Sequence, residues 1–322
     1  MTENTSNKST TSNDKFEQTL VNGIARELLT EQRRNRRWGI FFKLLLAVYL
    51  FGFLAIYIQG RWNLEPSKLG GGKHTALIQI SGAIGADTEA SADNIVTGLR
   101  RAFEDKNTQG IILRINSPGG SPVQAGYVND EIYRLREQYP EIPIYAVISD
   151  ICASGGYYIA SAADEIYANK ASLVGSIGVI MSGFGFVDAI DKLGVERRTR
   201  HAGESKDFLD PFVPPREEDL VHVDTLLDDI YQQFIAVVKK GRGERLKDDE
   251  RIFSGLIWTG EQSVELGLVD GLASASHVAR ELIGAEDIVN FSYQQSYLDR
   301  FAKQLGATAA DSLINSLNIE LK

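Results

Sequence analysis

An α/β fold with a mainly parallel sheet, preceded by one transmembrane helix, is predicted by three features of the 322-residue chain. From residue 74 onward, β-branched runs alternate with amphipathic helical stretches, the signature of repeated β-α units. Ahead of them lies an apolar run from Trp38 to Gly60 whose only charge is Lys43. Two strand-to-helix junctions are rich in glycine and serine, at the position where parallel sheets place ligands.

In chain order, residues 1–37 open with a polar, Ser/Thr/Asn-rich stretch that reads as a cytosolic tail, and a helical stretch may be drawn from Phe16 to the basic cluster Arg33, Arg34, Arg36 and Arg37. Residues 38–60 supply the ~20 apolar positions a membrane span needs, with Trp38, Tyr57 and Trp62 near its ends as interfacial aromatics. A cleaved signal peptide would be shorter and earlier, and would end in small residues. The arginines before the span place the N-terminus in the cytosol and the rest outside, in the periplasm of a Gram-negative cell. The anchored part from 61 to 322 carries 26 Lys/Arg against 38 Asp/Glu.

Residues 61–73 contain Pro66 and three consecutive glycines and read as a linker. The main folded region, 74–292, begins with a strand at 74–84, a helix at 91–106, a strand at 110–116 and a helix at 122–139 that starts with Pro122. A strand at 142–149 leads through a turn into a short helix and a strand at 164–168. Then come LVGSIGVIM (173–181), a helix at 186–194, the strand-like VERRTRH (195–201), and a long helix over 216–240. That helix lines up Leu220, Val223, Leu226, Leu227, Ile230, Phe234 and Val238. Residues 293–322 are expected to form a C-terminal helical tail.

Composition narrows the function. With 34 Lys/Arg against 43 Asp/Glu the net charge is −9, which speaks against nucleic acid as a partner. A single cysteine, Cys152, and four scattered histidines give no metal-ligand pattern, and no cofactor is expected. The first glycine-rich junction is Asn116-Ser117-Pro118-Gly119-Gly120-Ser121, and the second is Cys152-Ala153-Ser154-Gly155-Gly156-Tyr157. Backbone N–H groups freed by glycine suit an oxyanion hole, and a serine among small neighbours at a strand-to-helix turn suits an exposed nucleophile. By pattern alone, each junction is equally a tight turn before a helix. Ser154 would need a base, and both His201 and a desolvated Lys206 are open choices.

Several motifs in order resemble the signal peptide peptidase A family, in its short, single-domain, membrane-anchored form: LRINSPGGS, ASGGYYIASAADEIYA, GSIGVIM, DKLGVE, AGESKDFLDPF, KKGRGER and WTGEQSVELGLVDGL. The resemblance implies a Clp protease/crotonase-like fold and a Ser–Lys serine endopeptidase that degrades cleaved signal peptides and other apolar unfolded peptides. It assigns Ser154 as nucleophile, Lys206 as general base, Ser176 as a hydroxyl supporting the lysine, and Gly155 with Gly120 or Gly119 as oxyanion donors. It also implies a homo-oligomer whose dyad residues come from adjacent protomers. Val179, Ile180, Met181, Phe184 and Phe186 are candidates for an S1 groove or for subunit contacts. Cys152 reads as packing, and Arg197, Arg198 and Arg200 as a solvated edge. The alternatives are a crotonase-like acyl-CoA enzyme and an inert membrane scaffold.

Overall fold

The computed structural model describes residues 36–55 and 72–293. The expectations for residues 1–35, most of the 61–73 linker and all but the first residue of the 293–322 tail lie outside them. Two units emerge, and each stands by itself here. The first contributes helix α1, Arg36–Ala55, whose side chains from Trp38 to Leu54 are exposed along its apolar length. Twenty helical residues rise about 30 Å, the thickness of a bilayer's hydrocarbon core. No charge follows Lys43 within the described helix, so water offers that surface no favourable partner.

The second unit lies within Pro66–Gln295. Its elements are β1 His74–Ser81, α2 Ala92–Glu104, β2 Thr108–Ser117, α3 Pro122–Gln138, β3 Ile144–Ala153, α4 Gly155–Ala160, β4 Glu165–Ala168, β5 Leu173–Gly175, α5 Val187–Lys192, α6 Glu217–Arg242, β6 Ile257–Thr259, α7 Gly260–Glu265, β7 Gly271–Leu272, α8 Ala275–His277 and β8 Ile288–Asn290. The mixed α/β sheet runs β6-β5-β3-β2-β1-β8, with β4 paired to β3 and β7 to β4. Every pairing is parallel except β5 with β6.

Strands β1 to β3 are apolar nearly throughout because both faces are covered. On one face Ile78, Ile80, Leu113, Ile115 and Ile148 pack with Ile95, Leu99 and Phe103 of α2 and Val128, Ile132 and Leu135 of α3. On the other, Leu77, Ile112 and Val147 meet Val278 and Ala279 in the π turn that continues α8. Each such side chain contributes about 1.5–3 kcal/mol on burial.

Three sequence expectations change. The stretch read as a turn after residue 149 is strand: β3 runs on to Ala153. VERRTRH forms no ladder, and only α5 interrupts the irregular path from 178 to 215. Of the apolar positions on α6, Phe234 and Val238 are buried, whereas Leu220 and Leu226 lie exposed. The far end of α6 is anchored instead by Arg242, whose guanidinium is buried. It donates to both carboxylate oxygens of Asp270 at 2.7 and 3.0 Å and to the Gly267 carbonyl at 2.8 Å. Asp270 also accepts the Ile166 N–H at 2.7 Å, so this pair ties α6 to β4. Arg242→Ala leaves that carboxylate only Arg245, at 3.2 Å, and the Ile166 N–H, which costs about 3 kcal/mol, and thermal unfolding of the variant is expected to fall by roughly 10 °C.

Candidate active site

Ser154 occupies the single step between β3 and α4 with φ 51° and ψ −122°, a left-handed conformation that a side chain adopts only under strain of about 1–3 kcal/mol. Three supports hold it there. Its N–H donates to the Gly175 carbonyl at 2.9 Å, its carbonyl accepts the Tyr158 N–H at 3.0 Å, and the strand leading to it is bulged. Between the pairs Ile115–Ile148 and Ser117–Cys152, β2 advances two residues while β3 advances four. Asn116 fills the gap: its Oδ1 accepts the Ile151 N–H at 3.2 Å and its Nδ2 donates to Asp150 at 2.9 Å. Beyond the bulge β3 pairs with β5 instead of β4. Neither Asn116 nor Asp150 stands out as a site residue in the sequence; an asparagine ending a strand before Ser-Pro-Gly-Gly is the one available cue.

The first glycine-rich loop packs directly on the second. A Cβ on Gly119 would come within 2.7 Å of Ser154 Cβ, and one on Gly155 within 3.3 Å of the Gly120 nitrogen. Gly120 is pinned by the 82–90 segment: Ile84 accepts the Ser121 N–H at 2.9 Å and donates to Gly119 at 2.8 Å. Any side chain at Gly120 would strike the Ile84 carbonyl at 2.1 Å. Hydrogen bonding distinguishes the two glycines. Gly119 N–H donates to Ser117 Oγ at 3.1 Å, and Ser117 Oγ in turn donates to Gly82 at 2.6 Å. The N–H groups of Gly120 and Gly155 meet no acceptor among the described residues.

Ser176 stands beside Ser154. Ala153 pairs with Gly175, so the two serines follow at the same level on adjacent strands, and Ser176 shares the left-handed φ of 51°. Gly175 must be small because Trp258 on β6 lies 3.1 Å from where its Cβ would be. Cys152 is wholly buried two residues before Ser154, and burial alone pushes its thiol pKa well up, out of the nucleophilic range.

Lys206 is exposed, and no hydrogen bond joins it to Ser154 or Ser176 among the described residues. It borders a cavity of about 430 Å³ with Arg197, Arg200, His201, Phe208 and Phe212. His201 is also apart from Ser154, with Nδ1 at 2.9 Å from the Gly203 carbonyl and Nε2 at 3.5 Å from Asp207. Arg197 is tied to Asp210 at 2.9 Å and lies over the Phe212 ring, while Arg198 pairs with its neighbour Glu196. Of the candidate groove residues, Ile180 is 89% and Phe184 82% exposed.

The family model for Peptidase family S49 matches residues 136–288. A protein of Synechocystis sp. provisionally named a protease is 35% identical over 65% of this chain and 73% of its own length. One of Enterococcus faecium, provisionally named signal peptide peptidase SppA, is 37% identical over 55% of this chain and 51% of its own. A Brucella abortus protein named Na(+)/H(+) antiporter NhaA is 40% identical over 66% of this chain, but the chain spans only 29% of that protein.

The packing around Cys152 has a direct check. In the native protein the thiol is expected to resist iodoacetamide for hours, and to react within minutes once the chain is unfolded in denaturant. Rapid native alkylation would mean that the floor beneath Ser154 is open.

Proposed function

The chain belongs to peptidase family S49, and on that footing we propose that it is a membrane-anchored serine endopeptidase working through a Ser154–Lys206 dyad. The observation that carries this reading is the strained turn at Ser154, with the neighbouring Gly120 and Gly155 amides left without acceptors among the described residues.

In the proposed cycle the neutral Lys206 amine takes the Ser154 proton as Oγ attacks a peptide carbonyl. The oxygen of that carbonyl gains the electron pair and is held by the Gly120 and Gly155 N–H groups, each worth about 3–4 kcal/mol in the transition state. Collapse expels the amine, which leaves with the proton from the Lys206 ammonium. Water, deprotonated by the same lysine, then releases the acyl group and restores Ser154. In this cycle Ser176 accepts a hydrogen bond from the lysine.

Because Lys206 is exposed and makes no hydrogen bond to Ser154 among the described residues, the reading includes a homo-oligomer in which an adjacent protomer supplies the lysine. The exposed apolar residues Ile180, Phe184 and Leu193 support a covered surface there. The substrates proposed are signal-peptide remnants and other apolar unfolded peptides. Helix α1 supports an anchor that keeps the protease where such peptides partition, and the arginines before it support an N-terminus in the cytosol with the catalytic region outside. Relatives named as proteases favour this chemistry over acyl-CoA turnover.

The test uses the full chain in detergent and a fluorogenic apolar peptide. Ser154→Ala and Lys206→Ala are each expected to lower turnover by about a thousandfold or more. Gly120→Ala, which displaces one oxyanion donor, is expected to lose about a hundredfold. Retained turnover in Ser154→Ala would place the chemistry elsewhere.

A further inference from the structure

Lys206 sits in a loop that has turns but no regular element to fix it. Its internal bonds run from Lys206 N–H to the Gly203 carbonyl at 3.2 Å and from Phe208 N–H to the Ser205 carbonyl at 3.2 Å. Such bonds shape a loop without setting where it stands. Among the described residues, every hydrogen bond and ion pair joining Glu204–Asp207 to another element comes from one side chain, Arg216, the N-cap residue of α6.

Its guanidinium works in three directions. Nε and one terminal nitrogen grip the buried Asp219 carboxylate at 2.9 and 3.1 Å, one turn into α6. The other terminal nitrogen donates to the Glu204 carbonyl at 3.1 Å. The Asp207 carboxylate, next in chain to Lys206, lies 3.2 Å from the guanidinium as an ion pair, its buried Oδ1 making no hydrogen bond among the described residues. The fork to Asp219 fixes the plane of the guanidinium, and the other terminal nitrogen then points at the loop. Glu218, 3.6 Å away, is exposed and adds little.

We infer that Arg216 is a positioning residue for the catalytic lysine, fastening the Lys206 loop to the start of α6 so that the amine is presented at a fixed place. The inference rests on the reading of Lys206 as the base. It makes Arg216 necessary for the proton-transfer step and not for peptide binding, because Arg216 touches the loop backbone and Asp207 and leaves the Lys206 side chain free. A lysine at 216 keeps the charge but not the fork, and cannot hold Asp219, Glu204 and Asp207 together.

The experiment measures kcat and KM separately for the full chain in detergent, with thermal unfolding alongside. Arg216→Ala is expected to lower kcat by about 10- to 100-fold with KM changed less than about twofold. Arg216→Lys should recover only part of the loss, and added guanidinium ion should restore Arg216→Ala more than it restores Lys206→Ala. Asp207→Asn removes the loop-side ion pair while leaving the Glu204 and Asp219 bonds of Arg216 in place, so it is expected to lower kcat without a large fall in melting temperature, and it serves if Arg216→Ala does not fold. A normal kcat in folded Arg216→Ala or Asp207→Asn, or a loss confined to KM, overturns the inference while an inactive Lys206→Ala leaves the base intact. Near-normal kcat in Lys206→Ala overturns both.

Discussion

A serine hydroxyl at the carboxyl end of a buried parallel strand stands free only where the backbone turns sharply beneath it, and the left-handed turn at Ser154 is that geometry. The strain must be held by its surroundings, and much of the surrounding architecture serves to hold it. The bulge in β3, filled by Asn116, hands the strand from β4 to β5 and brings the Gly175 carbonyl under the Ser154 N–H. Gly119 can only be glycine because Ser154 lies against it, and Gly120 because Ile84 does. Trp258 pressing on Gly175 extends the same close packing to the strand that carries Ser176. Under the proposed function the consequence for chemistry is preorganisation, with the Gly120 and Gly155 amides held in place by this packing.

The catalytic unit divides by how completely it is packed. Residues 74–177 and the end of α6 form a core in which strands are covered on both faces and the largest buried charge, Arg242, is fully paired. Residues 178–226 keep large apolar side chains in solvent and rely on local ion pairs such as Arg197–Asp210 and Arg216–Asp219. Under the proposed function this division has a purpose. The rigid half presents the nucleophile and the oxyanion donors, and the looser half carries the base toward another copy. Local clamps such as Arg216 matter most where no core fixes the backbone.

Much of this was legible in the sequence, for reasons that differ by element. The alternation of strand and helix holds because burial on both faces leaves long β-branched runs such as Ile111–Ile115, and Pro122 and Ser121 mark the start of α3. The glycine-rich junctions were visible, and the structure packs them against one another. The extension of β3 to Ala153 was not, because a bulge completed by a side chain from the neighbouring strand leaves Ser-Asp-Ile looking like a turn. VERRTRH carries only Val195 and Thr199 as β-branched residues among charged ones, and it pairs with no strand. The choice of Gly120 over Gly119 depends on Ser117 Oγ, which no spacing announces. Lys206 could be preferred to His201 only by resemblance, since exposure and loop position make it look like any surface lysine.

The central claim is that Ser154 of one copy is served by Lys206 of another, and mixing two inactive variants addresses it most directly. Full-length Ser154→Ala and Lys206→Ala, dissociated, combined in equal amounts and reassembled in detergent, would be assayed for cleavage of an apolar peptide. The account predicts recovery of about a quarter of wild-type turnover, because random assembly of a symmetric oligomer joins an intact serine to an intact lysine at that share of interfaces. Mixed oligomers that form and yet stay as inactive as either parent would contradict it and put both residues in the same chain's site.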